Sequence, residues 1–276
     1  MSRLAAAFAR CRKEGRPAFI PFLMAGDPDL ETTGRLILAA AAGGADVIEL
    51  GVPFSDPIAD GPVIQRAAGR ALARGTNLAG VLGLVARLRR EIELPIVLFT
   101  YFNPILARGI ERFAEQAAAS GVDAVLCVDL PPEEGAIELV PALLACGLDT
   151  VFLLAPTSDR KRIERVASLS SGFVYYVSTT GVTGERRRLA PSLLAEVRAL
   201  KKKLPQPLAV GFGISTPEQV AEVGRVADGV VVGSALVRLV EEKGGKPDLA
   251  EAVARRVAEL AAPLHERKRR FFWSRK

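Results

Sequence analysis

The sequence contains one histidine, His265, and it lies close to the C-terminus. That position argues against catalysis by a histidine-ligated metal and against Ser/His or Cys/His nucleophilic triads. The three cysteines, Cys11, Cys127 and Cys146, form no C-x-x-C motif and are odd in number. We predict free thiols in a reducing cytosol, with no disulfide framework and no metal site.

Lysine is missing from the ends of the predicted strands, where a Schiff-base aldolase or a pyridoxal phosphate enzyme would need it. Long apolar runs are missing as well. No stretch reaches the roughly 18 residues of a membrane span, and the apolar run at residues 4–9 is too short for a signal peptide. We therefore expect a soluble protein of the cytoplasm.

Positive charge is concentrated at one end of the chain. The net charge is +6, and residues 265–276 hold six of the 37 basic residues and one of the 31 acidic residues. The rest of the chain is nearly neutral, so nucleic-acid binding by it is not expected. We predict a catalytic domain over residues 1–264 and a flexible, basic and aromatic tail over 265–276. The tail is either a frayed extension or a contact for an acidic partner, a lipid or RNA.

Short apolar runs alternate with amphipathic segments along the whole chain. Continuous apolar runs of this length are typical of parallel strands that are covered on both faces. Eight such runs favour a single (β/α)8 TIM barrel, an α/β fold of roughly 250 residues, over a doubly wound sheet. An extra N-terminal helix is expected to close the lower end of the barrel. The predicted strands are 18–24, 46–51, 95–101, 124–129, 150–155, 173–178, 208–213 and 229–233.

Glycine and proline mark the predicted helix ends. The sequence Ser-Thr-Pro-Glu at 215–218 is typical of a helix start. Glycines that follow helical segments are expected to adopt the left-handed conformation that ends many helices. These glycines are Gly43, Gly75, Gly121, Gly147 and Gly172.

Glu49 is an acidic residue in the middle of the second apolar strand, between Ile48 and Leu50. A buried charge there is costly unless it is paired or protonated. One interpretation is a structural ion pair, although the sequence suggests no partner. The other is a carboxyl group on the inner face of the barrel near its mouth, where apolar walls raise its pKa and suit it to acid–base catalysis.

The loop over residues 52–62 follows this strand and contains three prolines, which suit a loop that holds a side chain in a fixed position. Asp60 in this loop is a second candidate catalytic carboxylate. Its alternative role is to cap the helix that starts near Pro62. Asp56 is expected to form an Asx-turn and not to take part in catalysis.

Glycine-rich segments follow the last three strands, at 181–184, 211–215 and 233–235. Glycines let main-chain N–H groups approach an anion, and a helix N-terminus adds its dipole. This is the corner where barrels commonly bind phosphate. Arg186, Arg187 and Arg188 either steer the anion or form a solvated surface run. If the barrel breaks a C–C bond, the substrate must supply its own electron sink, and an indole ring protonated at C3 can do so.

The segments 21–28, 48–67, 181–184 and 211–215 closely resemble the tryptophan synthase alpha chain family, and the similarity spans about residues 3–262. The resemblance implies a lyase that cleaves indole-3-glycerol phosphate to indole and glyceraldehyde 3-phosphate in tryptophan biosynthesis. Glu49 would move the protons and Asp60 would hold the ring N–H. Thr183 would meet Asp60 when a lid closes. Phe22, Leu153, Tyr175 and Phe212 would line the indole pocket, and Gly184, Gly213, Gly233 and Ser234 would bind phosphate.

The same resemblance implies an α2β2 complex with a beta chain that carries pyridoxal phosphate, while this chain holds no cofactor and no metal. The 52–62 loop and the turn at 101–104 would face that partner. Thr179 and Thr180 depart from the lid sequence of some members, and the tail has no counterpart. Two alternatives stay open: a stand-alone lyase that releases free indole, and a phosphate-binding scaffold tethered by its tail.

Overall fold

A computed structural model describes residues 1–177, 192–211 and 213–273, with side chains up to residue 266. Eight parallel strands form a closed barrel in which each strand pairs with its neighbours along the chain and β8 pairs with β1. The predicted (β/α)8 TIM barrel is confirmed. The strands are β1 Ala18–Met24, β2 Ile48–Gly51, β3 Ile96–Thr100, β4 Ala124–Cys127, β5 Asp149–Leu154, β6 Val174–Val177, β7 Leu208–Gly211 and β8 Gly229–Val232.

Helices surround the barrel, and several strands are followed by two of them. The N-terminal helices are α1 Arg3–Lys13, α2 Leu30–Ala42, α3 Pro62–Ala73, α4 Leu78–Leu88, α5 Phe102–Arg108, α6 Ile110–Ser120 and α7 Pro132–Glu138. The others within the described residues are α8 Val140–Ala145, α9 Arg160–Leu169, α10 Leu193–Lys201, α11 Pro217–Val223, α12 Ser234–Lys243 and α13 Leu249–Trp273.

Alternation along the strands divides the core into two layers. On β1, the odd-numbered residues Phe19 and Leu23 belong to the layer between strands and helices. The even-numbered residues Ile20 and Phe22 belong to the layer inside the barrel. The helix α1 contributes Leu4 and Phe8 to the interior layer, so it closes the lower end as predicted. The interior of the barrel is thus filled with side chains, and the mouth is the end at which such barrels bind ligands.

The predicted strands extend one or two residues too far at several ends. The apolar pattern continues beyond the last ladder hydrogen bond, so sequence alone places loop residues in strands. Asp46, two residues before β2, and Tyr101, directly after β3, are two examples. Such residues lie at the two rims of the barrel, where chemical function and strand anchoring reside.

The predicted left-handed conformation is wrong for two of the five glycines. Gly75, Gly121 and Gly147 have positive φ, as predicted. Gly43 is right-handed, with φ of −74°, and Gly44 takes the left-handed position instead. At Gly172 space is the constraint, because a Cβ there would lie 2.7 Å from a methyl group of Leu4.

The helix at 215–218 starts as predicted, with Thr216 as the N-cap and Gln219 completing a capping box. At the other end of the chain, the backbone of α13 is helical from Leu249 to Trp273. The division at residue 264 and the flexible tail stay predictions. Within the described part of the chain, no helix is long and apolar enough to cross a membrane.

Candidate active site

A cavity of about 420 Å³, counted to its opening, lies at the C-terminal mouth of the barrel. This is the end of the fold where barrel enzymes bind substrates. Most of the predicted site residues come together here. The cavity is lined by Phe22, Glu49, Asp60, Ile64, Phe99, Tyr175, Gly213, Ile214, Val231, Gly233 and Ser234.

Glu49 lies on β2 in register with Phe22 on β1 and Val97 on β3. It is 1% exposed, and its Oε1 atom has no hydrogen-bond partner among the described residues. Burial raises the pKa of Glu49 to about 8, and the nearby charge of Asp60 adds to this effect. In the described part of the chain no cation accompanies it, so the ion-pair interpretation is not supported.

Asp60 lies in the 52–62 loop just before α3, and its Oδ2 atom accepts a hydrogen bond of 3.0 Å from the hydroxyl group of Tyr101. The alternative role as a helix cap is wrong, because the N-cap of α3 is Gly61 and no side chain caps this helix. Burial raises the pKa of Asp60 to about 6, although the bond from Tyr101 lowers it. The carboxyl group therefore faces the cavity and not the helix.

Main-chain hydrogen bonds fix the loop that carries Asp60. The N–H group of Asp60 donates to the carbonyl of Pro57, and the side chain of Gln65 donates to the carbonyl of Asp60 at 2.8 Å. Asp56 is exposed and accepts from the hydroxyl group of Ser55. The expected Asx-turn is replaced by a main-chain turn, in which the N–H of Ile58 donates to the carbonyl of Asp56.

Aromatic rings form the walls beside the carboxylates. Phe22 and Phe99 meet edge to face with ring centroids 5.5 Å apart. Gly51 is required by this arrangement, because a Cβ there would lie 2.6 Å from the Phe22 ring. Gly211 likewise makes room for Tyr175, whose hydroxyl oxygen lies 2.1 Å from the position of an added Cβ. Aromatic and aliphatic side chains thus lie beside the two carboxyl groups, an arrangement that suits a planar aromatic ring carrying an N–H.

The part of the cavity lined by Gly213, Gly233 and Ser234 has features of an anion site. Gly213 has a φ of +79°, which favours glycine, and Gly233 is the N-cap of α12. Ser234 opens that ten-residue helix and is 9% exposed. The first N–H groups of a helix have no partner within the helix, and they form the positive end of its dipole. A phosphate group would be stabilised at this end.

Several predicted residues cannot be compared with the structure. Thr183, Gly184 and Phe212 lie outside the described residues, as do the lid positions 179–180 and the arginines at 186–188. Leu153 is half-buried on β5 and lines a neighbouring cavity with Val177, not the cavity that contains Glu49. Its role in the indole pocket stays a prediction.

Sequence reasoning missed five residues at the site: Ile64, Phe99, Tyr101, Ile214 and Val231. Tyr101 belongs to the 101–104 turn that was predicted to face a partner; its side chain is 2% exposed and turns toward Asp60. Its position directly after β3 was an available signal, because that is the mouth of the barrel. The apolar residues carry no such signal, since they look like ordinary core. Among the described residues, no group of acidic residues, cysteines and histidine is arranged to hold a metal ion.

Comparisons with known proteins identify one family. The family model for the tryptophan synthase alpha chain matches residues 8–269. The chain is 58% identical over 245 residues to the tryptophan synthase alpha chain of Citrifermentans bemidjiense, which covers 89% of this chain and 91% of that relative.

Solved structures are similar as well. Tryptophan synthase subunit alpha from Legionella pneumophila is 36% identical with a TM-score of 0.87, over 96% of this chain and 99% of that one. A chain of the tryptophan synthase complex from Pyrococcus furiosus is 40% identical with a TM-score of 0.82, over 89% of this chain and 98% of that one. The chain belongs to the tryptophan synthase alpha chain family, whose members are lyases of tryptophan biosynthesis.

Proposed function

We propose that the chain cleaves indole-3-glycerol phosphate to indole and glyceraldehyde 3-phosphate, with Glu49 and Asp60 as the catalytic residues. Protonation of indole C3 by Glu49 converts the ring to a cationic indolenine. The bond between C3 and the glycerol side chain then breaks, and its electron pair returns to the ring. The adjacent hydroxyl group becomes an aldehyde, and its proton goes back to Glu49, which balances the reaction.

The observation that carries this proposal is the buried Glu49 with no cation beside it in the described part of the chain. With a pKa of about 8, Glu49 is protonated at neutral pH and can donate to carbon. Asp60, with a pKa of about 6, is a carboxylate at the same pH. It would accept a hydrogen bond from the ring N–H and stabilise the positive charge that develops there.

The remaining site residues are assigned either to the indole ring or to the phosphate group of the substrate. Phe22 and Tyr175 would pack against the indole ring, and we extend this pocket to Phe212 and Leu153 on the basis of family resemblance. Thr183 would approach Asp60. The phosphate group would bind at the N-terminus of α12 and the preceding turn. Its ligands would be Gly184, Gly213, Gly233 and Ser234.

Family membership implies a beta-chain partner, and we propose the α2β2 form of this complex. Ile58 in the 52–62 loop is 79% exposed, and Leu106 on α5 is 54% exposed. Exposed apolar side chains beside the mouth of the barrel support a docking surface there. Pyridoxal phosphate would be held by the partner, and this chain would need no cofactor. We place the reaction in the cytoplasm and expect no nucleic acid or membrane contact for the barrel.

Indole release from indole-3-glycerol phosphate tests the proposal. For Glu49→Gln we expect a loss of at least 10²-fold in kcat, because an amide cannot transfer the proton. Glu196→Gln is the matched control: Glu196 lies on α10 outside the barrel and accepts from Tyr176. We expect it to keep wild-type turnover. Near-normal turnover by Glu49→Gln would overturn the assignment.

Addition of a beta chain tests the proposed complex. A faster rate of indole release supports the complex, and an unchanged rate favours a stand-alone lyase.

A further inference from the structure

Tyr101 lies where β3 ends and α5 begins, and its side chain is buried against the 52–62 loop. Its hydroxyl group donates to Oδ2 of Asp60 at 3.0 Å and accepts from the N–H of Ala59 at 3.2 Å. Its ring packs on that of Phe54, with centroids 5.0 Å apart and planes 33° from parallel. One side chain from the barrel thus contacts three positions of the loop that carries Asp60.

The position of Tyr101 is itself well fixed. It is the N-cap residue of α5, and the N–H of the next residue, Phe102, donates to Oδ1 of Asp129 at 2.8 Å. The hydroxyl group therefore approaches Asp60 from a rigid strand end and not from another loop. A side chain held in this way can select one orientation of a carboxylate that would otherwise rotate.

We propose that Tyr101 is a positioning residue for the cleavage reaction: its hydroxyl group engages Oδ2 of Asp60 and so orients the carboxylate toward the ring N–H of the substrate. This inference rests on the proposed function, because Asp60 must act on an indole N–H. Tyr101 contacts Asp60 and is not among the residues that line the cavity. It therefore acts through the carboxylate.

Two consequences follow for Tyr101→Phe, which keeps the ring that packs on Phe54 and removes only the hydroxyl group. First, Asp60 is less well oriented when positive charge develops on the ring, so kcat falls more than KM changes. We expect a loss of about fivefold in kcat at pH 8, comparable to one ordinary hydrogen bond. Second, a hydrogen bond that favours the anion is lost, so the acid limb of kcat/KM moves to higher pH.

Tyr176→Phe is the matched control. The hydroxyl group of Tyr176 donates to Oε2 of Glu196 at 2.7 Å, and Tyr176 belongs to the layer between strands and helices. This variant loses the same kind of phenol–carboxylate bond at a place remote from the cavity. We expect an unchanged kcat and an unchanged acid limb.

A double-mutant cycle with Asp60→Asn separates positioning from packing. If Tyr101 acts through the Asp60 carboxylate, adding Tyr101→Phe to Asp60→Asn costs less than in the wild type. Phe54→Leu is a second variant that loosens the Tyr101 ring and keeps its hydroxyl group; we expect a smaller change in the same direction. The carbon-13 carboxyl titration of Asp60, measured without substrate, reports the same shift independently of turnover.

The outcomes are distinct. If the wild-type chain releases no indole, with or without a beta chain, the proposed function fails. If the wild-type chain is active but Tyr101→Phe keeps its kcat, its acid limb and its Asp60 titration, the positioning role is overturned. Equal losses from Tyr101→Phe in the wild-type and Asp60→Asn backgrounds would also overturn it, since the effect would then be general packing.

Discussion

Asp46 and Glu49 lie three residues apart in one chain segment, and both carboxyl groups are buried. Their surroundings differ completely. Asp46 accepts two hydrogen bonds from Arg16, at 2.6 and 2.8 Å, one from Arg10 and one from the N–H of Phe19. Glu49 has an Oε1 atom without a partner among the described residues. The segment thus contains a fully hydrogen-bonded carboxylate just before β2 and, on β2 near the mouth of the barrel, a carboxyl group with one oxygen that has no partner among the described residues.

The pKa values follow from this difference. Burial alone raises the pKa of Asp46, but the hydrogen bonds from Arg16 and Phe19 and the charge of Arg16 outweigh burial and bring the pKa below its ordinary value. At Glu49 no group among the described residues offsets burial, so its pKa rises to about 8. Desolvation is common to both residues, and the presence of a cation decides the direction.

The arrangement at Asp46 recurs around the lower rim. Asp123 before β4 accepts from the N–H of Ile96 and pairs with Arg89. Asp228 before β8 accepts from the N–H of Leu208 and pairs with Lys201. Each aspartate bonds the first residues of the neighbouring strand and a basic side chain. These carboxylates connect neighbouring strands at the lower rim, and the residues proposed for catalysis lie at the other end of the barrel.

The largest expected effect is on stability, at the satisfied carboxylate. Asp46→Asn leaves the guanidinium of Arg16 buried, with Glu14 as its one remaining acidic partner among the described residues. We expect the free energy of unfolding to fall by about 3 kcal/mol, as when one member of a buried ion pair is removed. Urea unfolding at pH 7 measures this, and kcat of the folded protein should not change. A loss of kcat without a loss of stability would contradict the structural role.

Glu49 should behave in the opposite way. A carboxyl group whose folded pKa lies above its unfolded value near 4.3 binds its proton more tightly when folded. The folded state is therefore penalised as pH rises from about 4.5 to 8, and the full penalty applies above pH 8.

Glu49→Gln removes this penalty. Relative to the wild type, we expect the variant to gain free energy of unfolding between pH 5 and pH 9, with most of the gain below pH 8. Urea unfolding at the two pH values, for wild type and variant side by side, measures the difference. Parallel behaviour of the two proteins would mean that Glu49 does not titrate with a raised pKa.

The same contrast explains what the sequence could predict. Glu49 was predictable because one acidic residue interrupts an apolar strand, and the strand alternation places it inside the barrel. The role of Asp46 was not predictable, since its arginine partners come from α1 and from residue 16, beyond any local pattern. Tyr101 was missed for a similar reason: its partner Asp60 lies 41 residues away, on a loop whose path depends on tertiary contacts.

Glycines show where local rules are insufficient. Positive φ was predicted correctly at Gly121, where a helix ends in the usual left-handed way. At Gly51 and Gly211 the requirement is space for an aromatic ring from a neighbouring strand, which only the folded barrel reveals. The fold could therefore be predicted from periodicity, while the shape of the cavity depended on contacts between strands.

The smallest of these effects concerns Asp60, whose carboxyl group lies between the two extremes because it has one hydrogen-bond donor and no cation in the described part of the chain. If Glu49 must be protonated and Asp60 ionised, kcat/KM of the wild type should be bell-shaped, with limbs near pH 6 and pH 8. The acid limb then belongs to Asp60 and the basic limb to Glu49.

Asp60→Asn should lower kcat about tenfold, less than Glu49→Gln, because an amide oxygen still accepts a hydrogen bond from the ring N–H but carries no charge. It should also remove the acid limb and keep the basic one. An acid limb that persists near pH 6 in Asp60→Asn would assign that titration to another group and would separate Asp60 from the chemistry.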